Sequence, residues 1–236
     1  MSILKAETVF LWFMIYSFIG WLYETVLCSS LERKFVYRGF LNGPYCPIYG
    51  FGALLDIMIL GNVESVPSLF LSSVLLTCTL EYFTSWAMEK LFHAKWWDYS
   101  HMRFNIHGRV CLLGALAFGT FSVLLIKYLH PFITGITDNL SNVMLSVISI
   151  VLFILIMSDM CVTLNGFIKF NDKLHMFNEE LKAKRTKMHE TISDLPRKFN
   201  WQERRMMSAF PKLSSLHYNE TLLELRKRLA EKRKRK

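Results

Sequence analysis

The chain has 236 residues, of which 52% are hydrophobic, and its mean hydropathy is +0.26. The formal net charge is +9, but residues 1–164 contain 9 basic and 10 acidic residues, whereas residues 165–236 contain 19 basic and 9 acidic residues. An apolar, almost neutral body with a strongly basic end excludes a disordered protein, a secreted disulfide scaffold and an ordinary water-soluble enzyme. We predict two domains: a transmembrane domain over residues 1–164 and a basic, helical, cytoplasmic tail over residues 165–236.

Five apolar segments are predicted to form transmembrane helices, because crossing about 30 Å of hydrocarbon takes roughly 20 apolar residues. In chain order these segments are Thr8–Cys28, Pro47–Leu60, Val66–Leu91, Val110–Leu129 and Leu140–Leu164. The second segment is short and the other four are long. The predicted fold class is therefore all-α, a polytopic membrane helix bundle of about five helices.

Basic residues are confined to alternate connections between these spans, which predicts the orientation of the bundle. The connections after the first and third spans contain Arg33, Lys34, Arg38, Lys95, Arg103 and Arg109. The connections near residues 62–65 and 130–139 contain no Lys or Arg. With five spans, the N-terminus is predicted to lie outside and the basic tail in the cytoplasm.

The segment from Arg38 to Gly52 combines four glycines and two prolines with several aromatic residues. A regular helix does not persist through Gly43-Pro44 and Pro47, yet the segment is too apolar for a solvated linker. Irregular backbone at membrane depth is tolerated only where it is buried in protein or lines a cavity. Two interpretations are open: a re-entrant or interfacial element that contributes to a site, or a tight cytoplasmic turn with an apolar lead-in.

Two carboxylates, Glu24 and Glu81, fall inside predicted spans. A charge in a span costs a few kcal/mol on insertion scales, so such a side chain normally faces a cavity or an ionic partner. Glu81 and Glu89 lie eight residues apart, which places both on one face of the third span. The candidate ionic partners come from the cytoplasmic connections and are Arg38, Arg103 and Arg109. The carboxylates are interpreted either as ion pairs that fix the bundle or as a relay for protons or a substrate.

The connection before the fourth span is rich in aromatic and polar side chains. Trp96 and Trp97 are typical of the aromatic belt at a membrane interface. His107 is an alternative candidate for an acid or base, with Arg109 binding a phosphate. The histidines and the five scattered cysteines have no metal-ligand spacing, so no metal site is predicted. There is no phosphate-binding loop and no hydrolase motif, so no cofactor, catalytic residue or built-in ATPase is expected.

The basic tail is predicted to begin as a continuation of the last span over residues 165–190, with breaks at Pro196 and Pro211. An amphipathic helix is predicted from Asn219 onwards, with its apolar face formed by Leu222, Leu225 and Leu229. The run Glu231–Lys236 is polybasic and favours contact with anionic lipid headgroups. A protein partner is the second interpretation, and nucleic acid is not expected as a partner.

Short motifs spread over roughly residues 8–165 resemble those of bacterial CmpB-type membrane permeases, the ABC-transporter type IV family. The motifs are Gly20-Trp21 with Glu24, the run Arg38–Gly50, Glu81-Tyr82 with Glu89, Trp96–Ser100, Phe104-Asn105, Gly108-Arg109, Cys111-Leu112 and, in the tail, Phe210-Pro211 and Glu220–Arg226. The resemblance implies a multi-pass protein of the bacterial cytoplasmic membrane. It also implies partners: a cytosolic ATPase or another protein subunit. Because five spans are few, we expect a homodimer to enclose a pathway.

The predicted function is that of a permease-type subunit of a transport or export complex, with a polar pocket in the cytoplasmic half of the bilayer. The candidate pocket residues are Glu24, Arg38, Asn42, Tyr45, Glu81, Glu89, Asp98, Asn105, His107 and Arg109. Two alternatives are kept: a membrane-embedded enzyme acting on a lipid-linked substrate, and a non-catalytic membrane sensor or scaffold.

Overall fold

A computed structural model describes residues 3–183, 201–210 and 213–234. Its helices are α1 (Ile3–Glu32), α2 (Pro47–Leu60), α3 (Val66–Phe92), α4 (Leu112–Leu124), a π-helical turn (Leu125–Leu129), α5 (His130–Thr137), α6 (Asn142–Ala183), α7 (Trp201–Ala209) and α8 (Asn219–Lys234). Four two-residue strands form two antiparallel pairs, β1 (Ala94–Lys95) with β4 (Ser214–Ser215) and β2 (Asn105–Ile106) with β3 (Val110–Cys111). The predicted all-α class is confirmed.

Four helical units are long and apolar enough to cross a membrane: α1, α3, the continuous unit from α4 to α5, and α6. Large apolar side chains are exposed along them, including Leu75 of α3 at 72% and Val143 of α6 at 74%. Water does not tolerate so much contiguous apolar surface, whereas acyl chains do. The protein is therefore a polytopic membrane protein. Helix α2 has the predicted bounds, but its 14 residues extend over only about 21 Å at 1.5 Å per residue.

Contacts between the helices show which connections lie at the same end of the bundle. Lys127 of the π-helical turn donates hydrogen bonds to the carbonyl oxygens of Val63 and Glu64, in the connection between α2 and α3. At the opposite end, β1 pairs with β4, so the connection after α3 meets the C-terminal region. We call this second end the basic end; it contains residues 33–37, 93–111, 165–183, 201–210 and 213–234. The alternate basic connections thus share one end, and its assignment to the cytoplasm remains a prediction.

Several helix boundaries differ from those predicted. Helix α1 extends beyond the predicted Thr8–Cys28 at both ends, over Ile3–Glu32, and α6 begins at Asn142 instead of Leu140. Two further differences concern α4. Helix α4 begins at Leu112 because Val110 and Cys111 pair with β2 instead of continuing the helix. The α4 unit also runs on to Thr137, through the π-helical turn and α5. Helix α6 continues past Leu164 to Ala183, as predicted for the start of the tail.

The C-terminal region agrees with the sequence where the structure describes it. Helix α8 begins at the predicted Asn219, and Leu222 and Leu225 are buried on its apolar face. The breaks predicted at Pro196 and Pro211 lie outside the described residues, as do the last two residues of the polybasic run.

Residues beyond Leu164 pack into a hydrophobic core at the basic end. This core combines side chains of α6, α7 and α8 with side chains that follow α3; its buried members include Ala94, Trp96, Phe167, Phe170, Leu174, Met206, Met207, Phe210, Leu222 and Leu225. Burial of this apolar surface fixes the C-terminal helices to the bundle. The division into domains at residue 164 remains a prediction.

Candidate functional site

The segment from Arg38 to Cys46, which we call the broken segment, is irregular and enters the bundle beside α1. Its first residue donates a backbone hydrogen bond to Thr25 of α1, and Cys46 donates one to the carbonyl oxygen of Ser17, two turns further along α1. Between them, Leu41 is almost fully buried. The irregular backbone therefore runs beside α1 from Thr25 to Ser17 and is covered by protein, which agrees with the re-entrant interpretation. Helix α2 begins only at the level of Ser17.

Asp159 of α6 anchors the broken segment. Its Oδ1 accepts hydrogen bonds from the backbone and side-chain amides of Asn42, at 3.0 and 2.7 Å, and from the hydroxyl of Thr163 at 3.1 Å. Its Oδ2 accepts bonds from the backbone N–H of Gly43 and the hydroxyl of Tyr45, both at 2.7 Å. Five donors therefore satisfy both carboxylate oxygens. Asn42 and Tyr45, predicted as pocket residues, serve here as partners of Asp159.

Arg38 and Glu24 form an ion pair across the start of the broken segment, with Nε and Oε2 separated by 2.9 Å. The second carboxylate oxygen of Glu24 accepts a hydrogen bond from the hydroxyl of Tyr49 at 3.0 Å. The Arg38 guanidinium also donates to the carbonyl oxygen of Ala209 and lies 4.9 Å from the ring centroid of Phe210. Arg38 thus connects the spanning helix α1 with the C-terminal helix α7.

Helix α7 holds the broken segment from the basic end. Arg205, 9% exposed, donates to the carbonyl oxygens of Gly39 and Phe40 at 3.3 and 2.9 Å. Burial lowers the pKa of Arg205, and the charge of Asp159 opposes that shift. A second ion pair, from Nζ of Lys173 to Oε1 of Glu203 at 2.7 Å, joins α6 to α7. The broken segment is consequently held between a carboxylate of α6 and a guanidinium of α7.

Glu81 of α3 is buried, at 6% exposure, with only part of its hydrogen-bonding capacity used. Its Oε1 accepts a bond from the hydroxyl of Tyr99 at 3.3 Å, and its Oε2 has no hydrogen-bond partner among the described residues. Glu81 also interacts electrostatically with Glu24, so the two carboxylates of α1 and α3 lie near each other. A buried polar atom without a partner is unusual in folded proteins and is a reason to look for a ligand there.

A neighbouring cluster joins α3 to the connection before α4. Nη2 of Arg109 lies 2.8 Å from Oε2 of Glu89, and its Nη1 donates to the hydroxyl of Tyr82 at 3.3 Å. The same hydroxyl is 3.0 Å from Nδ1 of His107. Arg109, one of the arginines predicted as ionic partners of the carboxylates, pairs with Glu89, so its guanidinium is already occupied by a carboxylate.

Asp98 and Asn105 mainly shape the connection in which they lie. Oδ1 of Asp98 accepts bonds from the backbone and the hydroxyl of Ser100, and these bonds lower the pKa of Asp98. Oδ1 of Asn105 accepts a bond from the backbone N–H of Gly108 at 2.9 Å, where φ is +69°. The polar atoms of Asp98 and Asn105 are thus engaged within the connection. Arg103, which was predicted as an ionic partner, is exposed.

Sequence reasoning missed Asp159 and Arg205. Asp159 carried a usable signal, since it is the single acidic residue in the last predicted span and the rule applied to Glu24 and Glu81 applies equally to it. Arg205 carried none, because one arginine among many in a basic tail is not distinguishable by sequence.

The site so described offers acidic groups, arginines and several hydroxyls, which can bind charged or hydrogen-bonding groups. No cluster of three or more His, Cys, Asp or Glu residues suited to a metal ion occurs within residues 3–183, 201–210 and 213–234.

Comparison with known proteins gives one match. No curated protein and no solved structure matches the chain. A family model described as "Putative ABC-transporter type IV" matches residues 11–164. The matched range contains the broken segment, all ten predicted pocket residues and Asp159, and it covers more than half of the chain. The chain therefore belongs to the CmpB-type ABC-transporter type IV family and is a membrane protein related to transport.

Proposed function

We propose that this protein is a permease-type subunit of a transport or export complex and that its substrate contacts the polar groups between α1, α3 and the broken segment. The observation that carries the proposal is the buried Oε2 of Glu81, which has no hydrogen-bond partner among the described residues, together with the electrostatic interaction between Glu81 and Glu24, the partner of Arg38. An unpaired carboxylate oxygen in a low-dielectric site favours a cationic or hydrogen-bond-donating group. The site accordingly suits a substrate that carries such a group.

The ion pair provides a means of exchange. In the structure, Arg38 neutralises Glu24 and also donates a hydrogen bond to the carbonyl oxygen of Ala209. A cationic substrate group that pairs with Glu24 and Glu81 displaces Arg38, which then remains bound to α7. With both carboxylates ionised, the substrate cation and Arg38 together carry two positive charges against two negative charges, so the net charge of the site stays zero during the exchange.

The proposal also covers the partners of the protein and its location in the cell. We propose that the basic end faces the cytoplasm of a bacterial cell and contacts anionic headgroups and a cytosolic ATPase or another subunit, because the chain contains no phosphate-binding loop. A homodimer would enclose the pathway. The alternative of an enzyme acting on lipid-linked phosphate is less well supported, since Arg109 already pairs with Glu89.

Charge-neutral variants test the site. Glu81→Gln and Glu24→Gln are expected to insert into the membrane at wild-type levels and to fail to complement a deletion strain. Glu64→Gln is the matched control, because Glu64 is exposed in the connection at the opposite end of the bundle. Full complementation by both pocket variants would show that no such site exists.

A double substitution separates a substrate site from an ion pair that merely fixes the bundle. Removing one member of a partly buried pair leaves the other charge uncompensated, whereas removing both is often nearly neutral for stability. Glu24→Gln/Arg38→Gln is therefore expected to recover thermal stability relative to either single variant while function stays absent. Recovery of function together with stability would assign the pair a structural role only.

A sensor or scaffold could be tested by removing residues 191–236, but this truncation would not distinguish it from a transporter subunit. That truncation also removes Ala209 and Phe210, which contact Arg38, so it perturbs the pocket itself. A scaffold predicts that the pocket variants remain functional, and a transporter subunit predicts that they do not.

A further inference from the structure

Asp56 is a second buried acidic residue, and it lies in a different part of the bundle from the pocket. It is 2% exposed and belongs to α2, seven residues after Tyr49, the partner of Glu24. Seven residues correspond to about 10 Å along a helix, in the direction away from the basic end. No residue of the candidate site contacts Asp56 among the hydrogen bonds and ion pairs of the described chain, so its chemistry requires a separate explanation.

Hydrogen-bond geometry around Asp56 indicates its protonation state. Oγ of Ser122, on α4, lies 2.5 Å from Oδ2 of Asp56 and 2.9 Å from the carbonyl oxygen of Phe118. A serine hydroxyl has one proton to donate, and both a carbonyl oxygen and an ionised carboxylate only accept. Both contacts are full two-centre hydrogen bonds only if Ser122 donates to Phe118 and a protonated Asp56 donates to Ser122.

The charges around Asp56 lead to the same conclusion. Helix α4 has no titratable side chain, and α3 has none before Cys78. On α1, the hydroxyl of Tyr16 is bonded to His130, at the start of α5. The ammonium group of Lys127 binds carbonyl oxygens of the connection between α2 and α3. Among the described residues, no ion pair with Asp56 is present, so an ionised Asp56 would be a buried charge without compensation.

We propose that Asp56 is a proton-binding site that carries its proton at neutral pH in the folded bundle. The proton resides on Oδ2 and is donated to Ser122, and the other oxygen, Oδ1, remains a neutral carbonyl oxygen that has no hydrogen-bond partner in the part of the chain that the structure describes. Release transfers the proton from Oδ2 to water and leaves a carboxylate, which requires α2 and α4 to separate enough to hydrate it. Protonation of Asp56 therefore favours the packing of α2 against α4, and its deprotonation favours their separation. This site is independent of the proposed pocket.

Infrared spectroscopy of the full-length protein in lipid nanodiscs at pH 7 tests the proposal. The wild-type spectrum is expected to contain the C=O stretching band of a protonated carboxyl, and Asp56→Asn is expected to lose that band. Asparagine retains a donor for Ser122, so the variant should fold normally, as its thermal stability would verify. Glu24→Gln and Glu81→Gln serve as controls and are expected to retain the Asp56 band. If Asp56→Asn instead loses only ionised-carboxylate bands, the proposal is wrong.

A second variant keeps the test valid should Asp56→Asn fail to fold. Ser122→Ala removes the acceptor for the Asp56 proton, so the band is expected to shift in frequency; an unchanged band would contradict the assignment.

Replacing choline chloride by sodium chloride is expected to leave the band unchanged. Its loss in sodium would identify a metal-cation site and would overturn the proposal of a proton site.

Discussion

Substitution of Asp159 by Asn should release the broken segment, and the structure allows the cost to be worked out. The change replaces one carboxylate oxygen by an amide N–H₂ group. If the amide nitrogen takes the place of Oδ2, it faces the backbone N–H of Gly43 and the hydroxyl of Tyr45. Hydrogen bonds to charged groups contribute about 1.5–3 kcal/mol each. The Tyr45 hydroxyl can rotate to accept a bond from the amide, but the N–H of Gly43 cannot, so we expect a net cost of about 2–4 kcal/mol.

Labelling of Cys46 provides a local assay for this release. Cys46 is buried at the end of the broken segment, and it can be made the single cysteine by replacing Cys28, Cys78, Cys111 and Cys161. A cost of about 2 kcal/mol or more corresponds to roughly a thirtyfold or greater rise in the population of the open segment. The rate of labelling by a membrane-permeant maleimide should rise by a similar factor.

The matched control is Asp172→Asn, an exposed position further along α6. This substitution should leave the labelling rate of Cys46 and the melting temperature close to those of the parent, because exposed substitutions usually change stability by less than about 0.5 kcal/mol. Equal labelling rates for Asp159→Asn and Asp172→Asn would refute the reasoning. The segment would then be held mainly by its apolar contacts.

Three further substitutions test the packing of the bundle and of the basic end. Arg205→Lys keeps the charge but loses the planar fork that binds two carbonyl groups, so hydrogen exchange of residues 38–46 should accelerate about tenfold for a loss near 1.4 kcal/mol. Gly50→Ala should lower the melting temperature, since its Cβ would lie 2.6 Å from a backbone oxygen of α1 and overpacking costs about 1–3 kcal/mol. Arg109→Gln should destabilise the protein by about 1–2 kcal/mol in thermal unfolding, because it leaves the half-buried Glu89 without its partner.

Each of these substitutions has a control in the same chain. Lys227→Gln, at an exposed position of α8, should not change exchange in the broken segment. Gly135→Ala has open space around its Cβ and should raise stability by about 0.5–1 kcal/mol through helix propensity. Arg103→Gln alters an exposed side chain of the same connection as Arg109 and should be neutral. If a test variant and its control have equal effects, the contacts described for that position do not explain the effect of the substitution.

Helix positions were largely predictable from the sequence because they depend on short-range properties. Helix α2 has the predicted bounds, with Pro47 in its first turn and Gly61 directly after its last residue. Proline in the first turn loses no helical hydrogen bond, so it marks a helix start. The other spans were identified from their long apolar runs, because the burial of a helix in lipid follows from its composition alone.

The partners of the polar groups were only partly predictable. Glu24 and Arg38 could be paired from their common depth, but Asp159 meets Asn42 across 117 positions of sequence, and nothing local links the two. The basic tail was predicted to face lipid because its charge dominates its composition. Contact of the tail with lipid headgroups stays a prediction. The sequence did not indicate that apolar side chains of the tail pack at the basic end against Trp96, or that Arg205 binds the broken segment.

The sequence by itself determined that long apolar helices cross a membrane, that an irregular Gly/Pro-rich segment precedes the short second helix, and that basic connections alternate. Tertiary structure alone decided that Asp159 and Arg205 hold that segment and that one oxygen of Glu81 has no hydrogen-bond partner among the described residues. Helix formation satisfies backbone groups within a few residues, so local sequence suffices to predict it. Polar side chains in a low-dielectric interior must find partners wherever the packed chain brings them, and that placement exists only after the helices have assembled.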